Sequence, residues 1–149
     1  VQTCALPISV EKLASSLQDA QVDLNPHQVD AALFAFQSPL SKGAILADEV
    51  GLGKTIEAGI VIAQKWAEHK RNILIVVPSN LRNQWSQELL EKFFIPSVIL
   101  ETKSFNQAIK QGNLIPFQQG SVIICSYQFI NTNFVFIFCF DNKFFKLCF

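Results

Sequence analysis

Ala44-Ile45-Leu46-Ala47-Asp48-Glu49-Val50-Gly51-Leu52-Gly53-Lys54-Thr55-Ile56-Glu57-Ala58-Gly59 decides how the chain is read. A short apolar run, 44–47, has the character of a buried strand. A loop with two glycines follows, and Lys54 and Thr55 then open a segment with helical periodicity. Strand, glycine loop and helix are the setting of a phosphate-binding loop. Gly51 and Gly53 let the backbone turn tightly and bring its N–H groups close to a phosphate. The helix start adds unpaired donors and the positive end of the helix dipole. In such a loop Lys54 reaches the β- and γ-phosphates as a mobile charge, and the Thr55 hydroxyl falls on Mg²⁺. The strict pattern G-x-x-x-x-G-K-[ST] has glycine where this chain has Asp48. The plainer reading is a glycine turn with an exposed lysine.

Working outward, Ser9 heads a segment with Val10, Leu13, Ala14 and Leu17 at helical spacing. Asn25-Pro26 is a helix-start signal, and the spacing predicts a helix over 26–36 burying Val29, Ala32, Leu33 and Phe36. Gln28 falls in its first turn and need not face that core. Downstream of the loop, Ile56, Ile60, Ala63 and Ala67 form an apolar stripe, widened by Ile62 and Trp66. This predicts a helix over 55–69 that suits packing on a sheet.

Asn72-Ile73-Leu74-Ile75-Val76-Val77 is a β-branched run of the kind found in central parallel strands, and Pro78 stops it. Ser79 or Asn80 caps a further helix carrying Leu81, Trp85, Leu89, Leu90 and Phe93, and Pro96 ends it. A short strand at 98–100, a brief helix at 105–111, a turn at 118–120 and a strand at 121–125 complete the pattern. Strands alternating with helices give an α/β domain with a parallel sheet. Ligands in such sheets bind at the carboxyl ends of the strands. Three stretches of interest fall there: 48–55, 78–80 and Ser126-Tyr127.

The chain has 149 residues, half of them hydrophobic, enough for one domain with a core. Twelve basic residues balance twelve acidic ones, which argues against a strong nonspecific grip on nucleic acid without excluding a local basic patch. Cys4, Cys125, Cys139 and Cys148 show no metal-ligand spacing and suggest no disulfide scaffold, so a reduced, cytoplasmic setting is expected. No secretory signal is visible, and the apolar run 134–140 is too short to span a bilayer.

Residues 1–8 resemble a translated sequencing adaptor and are set aside as a scar. Residues 9–130 read as the domain. Residues 131–149 change character: seven of the fourteen phenylalanines fall here, with no clean period. This tail reads as a non-native, frameshifted continuation, expected to be poorly ordered or to stick to exposed core for want of a sheet face of its own to bury against. A fully buried strand is the alternative.

Asp48-Glu49-Val50-Gly51-Leu52-Gly53-Lys54-Thr55-Ile56 resembles motif I of the Swi/Snf-related helicase-like ATPases of superfamily two, relatives of the DEAD/DEAH-like helicases. An acidic residue commonly stands there at the position of Asp48. Glu57-Ala58-Gly59 is similar to the bacterial branch. Leu24-Asn25-Pro26-His27-Gln28 resembles the family's adenine motif, and an amide fits because it can donate to N7 and accept from the N6 amine of adenine. Ile75-Val76-Val77-Pro78-Ser79, with Leu81 and Trp85, is similar to motif Ia. Ile123-Ile124-Cys125-Ser126-Tyr127 resembles the later Ser-Tyr motif near the phosphate backbone of the tracked strand. The match runs in order from 24 to 129.

The resemblance implies an incomplete RecA-like P-loop lobe that binds ATP and Mg²⁺. It implies nucleotide contacts by Gln28, Gly51, Leu52, Gly53, Lys54, Thr55 and Ile56, with Lys54 catalytic and Thr55 on the metal. It implies nucleic-acid contacts by Pro78, Ser79, Ser126 and Tyr127. Complete members hydrolyse ATP to translocate on duplex DNA or nucleoprotein, in some cases with RNA polymerase or defence-system proteins as partners. No membrane partner is implied. Simpler readings stand beside these: Gln28 as an exposed helix residue, Trp85 as core, Ser126 and Tyr127 as a strand end, Arg82 as either a phosphate contact or a solvated helix residue. The family's next motif, Asp-Glu on a strand, does not follow Ser126, and no second lobe with its arginine finger is present. The chain by itself is therefore expected to be inactive. The rivals are another P-loop enzyme, such as a nucleotide kinase or transporter ATPase, and a non-catalytic nucleotide-binding or interaction module.

Overall fold

The computed structural model describes residues 15, 17, 20–22, 25–37, 53–112, 120–133 and 145–148. They divide between two compact units, Val1–Glu68 and His69–Phe149. The expected strand at 44–47, the loop residues 48–52, the proposed scar and most of the expected helix near the N-terminus lie outside the described residues. Of that helix, Leu17 is described and is buried.

In the first unit, α1 (Pro26–Gln37) and α2 (Lys54–Ala67) pack against one another. Asn25 and Pro26 set the start of α1, where the Asn25 carbonyl accepts from the Gln28 and Val29 N–H groups. Ala32 is fully buried in α1, whereas Val29, Leu33 and Phe36 are half-buried. Gln28, which the spacing left free to face the core or not, is buried, at 4% exposure, against the simpler reading of an exposed helix residue. The Lys65 ammonium lies 5.0 Å from the centroid of the Phe36 ring, a cation–π contact between the two helices. In α2 every residue from Glu57 to Gln64 is buried, wider than the predicted stripe.

The second unit is a four-stranded, all-parallel sheet in the order β2-β3-β1-β4. Its strands are β1 (Ile73–Val77), β2 (Ser97–Ile99), β3 (Val122–Ser126) and β4 (Phe145–Cys148). The helices between them are α3 (Arg82–Phe93), α4 (Thr102–Lys110) and α5 (Tyr127–Thr132). β1 and β3 are buried along their whole length, as continuous β-branched runs predict for central parallel strands. Leu74, Val76, Leu100, Phe105, Ile123, Cys125 and Phe129 form one core cluster, in which the Phe105 and Phe129 rings meet edge to face at 5.6 Å. Trp85 is core, at 4% exposure.

Several boundaries differ from expectation for local reasons. A 3₁₀ turn, Ser79–Leu81, stands between Pro78 and α3, and neither it nor α3 has a side-chain cap. α3 ends at Phe93 rather than running on toward Pro96. Phe94 takes the left-handed conformation (φ 53°), and the Ile95 N–H turns back to the Leu89 carbonyl. The helix thus closes on a left-handed residue, a place where glycine is usual. α4 begins at Thr102, earlier than predicted, because Glu101 and Ser104 form a capping box. α5 was not expected; Ser126 caps it by accepting from the Phe129 N–H at 3.2 Å.

The tail departs most from expectation. Residues 145–148 do have a strand to pair with: β4 lies beside β1, with Ile73 opposite Phe145 and Val76 opposite Cys148. The β1 backbone has a donor–acceptor row on that side, and an apolar segment of suitable length takes it up.

Candidate functional site

The first unit brings two of the predicted nucleotide contacts together. Gly53 is the N-cap of α2 and sits in the left-handed region at φ 89°, which an L side chain rarely adopts. Its carbonyl accepts from the Ile56 and Glu57 N–H groups at 2.7 and 3.2 Å and starts the helix. A Cβ at Gly53 would stand 2.6 Å from Gln28 Nε2. The space beside the loop glycine is therefore filled by the Gln28 amide. The Asn25 N–H donates to Gln28 Oε1 at 3.3 Å, which orients that amide with its nitrogen toward Gly53.

α2 then opens with Lys54 and Thr55, both half-buried, followed by Ile56 and the fully buried Glu57. A helix leaves its first N–H groups without intrahelical acceptors, and no side chain caps this one. A glycine start, a lysine and a hydroxyl at the positive end of a 14-residue helix suit an anion. The donor set fits a magnesium–nucleotide phosphate, with Thr55 as an oxygen ligand of a hard cation and Lys54 as counter-charge. Gly51 and Leu52 lie outside the described residues. No cluster of His, Cys, Asp or Glu able to hold a metal on its own occurs among the described residues. No helix among them is long and apolar enough to cross a membrane.

In the second unit, the other predicted residues share the carboxyl edge of the sheet. Val77 and Ser126 are opposite one another in register, so Pro78-Ser79 and Tyr127 leave neighbouring strands at the same edge. Ser79 and Tyr127 are exposed there, whereas Ser126 is buried and caps α5. Arg82 is engaged within the protein: its Nε donates to the Ser79 carbonyl at 3.0 Å, and its Nη1 is 2.9 Å from Glu101 Oε1. Sequence reasoning gave Glu101 no role, because glutamate at the cap with serine three residues on reverses the usual order of a capping box.

The model of the SNF2-related domain matches residues 20–143. The chain belongs to the SNF2-related family. The RNA polymerase-associated protein RapA of Yersinia enterocolitica is 37% identical over 120 residues, as is RapA of Yersinia pestis. The match covers 80% of this chain and 12% of each relative, so the chain spans about an eighth of the length of those SNF2-related proteins. Among solved structures, the Sulfolobus solfataricus SWI2/SNF2 ATPase core in complex with dsDNA is similar in fold, with a TM-score of 0.61 at 21% identity. That likeness covers 73% of this chain and 22% of the other. The SNF2-related chain thus has the α/β architecture of a partial RecA-like lobe.

Proposed function

We propose that the chain is the ATP-binding part of a DNA-dependent ATPase or translocase of the SNF2 type. The observation that carries this reading is the Gln28 amide packed on Gly53 at the start of a helix led by Lys54 and Thr55. Lys54 holds the β- and γ-phosphates and acts in catalysis, and Thr55 holds Mg²⁺. Gln28 reads the base, while Gly51, Leu52, Gly53 and Ile56 line the phosphate and ribose side. Bound ATP supplies the phosphoanhydride that is cleaved. The protein's part in phosphoryl transfer is positioning and charge stabilisation. Pro78, Ser79 and Tyr127 face duplex DNA, and the buried Ser126, predicted as a further contact, instead holds the helix start beside them. By analogy with the name of its RapA relatives, the complete protein acts alongside RNA polymerase.

The Asp-Glu pair and second lobe supply the attacking water's partner and the arginine finger in this family. The chain by itself therefore binds ATP without turning it over. Calorimetric titration of magnesium–ATP into wild type and Lys54→Ala tests the reading. Saturable binding lost in a folded Lys54→Ala variant is expected; equal binding by both, or turnover above the Lys54→Ala control, would overturn it.

A further inference from the structure

We propose that Arg82 and Glu101 form a brace that holds the Pro78-Ser79 turn in its DNA-binding shape, Arg82 acting as a positioning residue and not as a phosphate contact. The inference rests on the reading of Pro78-Ser79 as a nucleic-acid contact. Its basis is that both partners are anchored twice. The Arg82 guanidinium spans from the Ser79 carbonyl (Nε, 3.0 Å) to Glu101 Oε1 (Nη1, 2.9 Å). The Glu101 carboxylate also accepts from the Ser104 backbone as the cap of α4, while the Glu101 N–H donates to Ser104 Oγ at 3.0 Å.

The two turns so joined follow different strands. Ser79–Leu81 follows β1, closed by the Leu81 N–H on the Pro78 carbonyl at 3.0 Å. Glu101 follows β2, one residue after Leu100, whose N–H bonds the Ile124 carbonyl of β3 at 2.8 Å. α4 carries Phe105 onto Phe129 of α5. The turns after β1, β2 and β3 are therefore linked in series. A single exposed ion pair contributes little, but a planar fork that fixes a backbone carbonyl sets geometry that a point charge cannot. Arg82 is the more enclosed partner, its side chain 19% exposed against 51% for Glu101. Its release to a phosphate would break both of its bonds.

The test is binding of a labelled DNA duplex by the 149-residue chain across a salt series, together with amide exchange at Leu81 and Ser104. Arg82→Lys keeps the charge and loses the fork. Glu101→Asp keeps the charge and a good helix cap but is one methylene too short. The brace predicts that each lowers affinity about threefold or more. The salt slope stays unchanged, because the number of phosphates neutralised does not change. The double variant is no weaker than either single one. Leu81 exchanges faster in each, while Ser104 stays protected in Glu101→Asp.

Wild-type affinity in Arg82→Lys, with a slope reduced by about one in Arg82→Gln, would make Arg82 a phosphate contact and overturn the brace. Tighter binding by Glu101→Asp, or losses that multiply in the double variant, would also overturn it. If Pro78→Gly and Ser79→Ala bind DNA as wild type does, the nucleic-acid reading fails. The Leu81 exchange rate still decides the brace in that case, and an unchanged rate overturns it.

Discussion

Gln28 and Gly53 are coupled by contact, and their substitutions separate two effects. Gly53→Ala places a methyl group where the Gln28 amide stands and forces alanine to φ 89°. The left-handed conformation alone costs about 1–2 kcal/mol. Each kcal/mol lowers the melting temperature of a domain this size by about 2–8 °C. Thermal melting should therefore fall by several degrees; an unchanged melting temperature would mean that the amide does not pack on the glycine. Gln28→Ala removes the packing on Gly53 and, with it, the proposed base contact. Loosening the loop weakens all nucleotides alike, whereas loss of adenine pairing weakens ATP alone. An extra loss of about threefold to tenfold for ATP over GTP is expected, the worth of one hydrogen bond. Equal losses in competitive titrations would leave Gln28 a packing residue.

Phe94 closes α3 in the left-handed conformation while 53% exposed, so its side chain contributes little burial against the strain. Phe94→Gly relieves about 1–2 kcal/mol of strain and gives back part of it through the freer unfolded chain. A net gain of about 0.5–1 kcal/mol in denaturant unfolding is expected; a loss would show that the exposed ring has a partner. The existence of β1, β2, β3, α3 and α4 was legible in the sequence, with the continuous β-branched runs at 73–77 and 122–126 marking the central strands, whereas α5 and β4 were not. Element ends were less legible. They depend on side-chain hydrogen bonds such as the Glu101–Ser104 box and the Ser126 cap, whose residues are also common in loops. The candidate site was legible in kind, because the glycines, Lys54 and Thr55 are contiguous in sequence. The burial of Gln28 against Gly53 was not, because it joins residues far apart in the chain.

At the scale of the whole chain, β4 bears on the tail. Strand pairing uses backbone groups that every residue carries, so an apolar segment of foreign origin can occupy the side of β1 opposite β3 as a native one would. The phenylalanine-rich residues 131–149 are proposed to be such a segment. Reading the other two frames of the coding DNA beyond Phe129 should reveal an apolar strand ending in Asp-Glu within roughly 20–30 codons, on ordinary element lengths. A confirmed present frame, with neither alternative containing that strand, would make the tail native. The motifs that carry the family resemblance lie before the tail, while the family match itself runs on to residue 143. What depends on the complete protein is the proposed coupling of nucleotide bound at Lys54 to duplex DNA. The direct measurement is ATP turnover by the chain completed with its second lobe, with and without duplex DNA, in wild type and Lys54→Ala. Turnover that rises with duplex DNA and disappears in Lys54→Ala is the predicted result; turnover indifferent to DNA, or preserved in a folded Lys54→Ala variant, would contradict it.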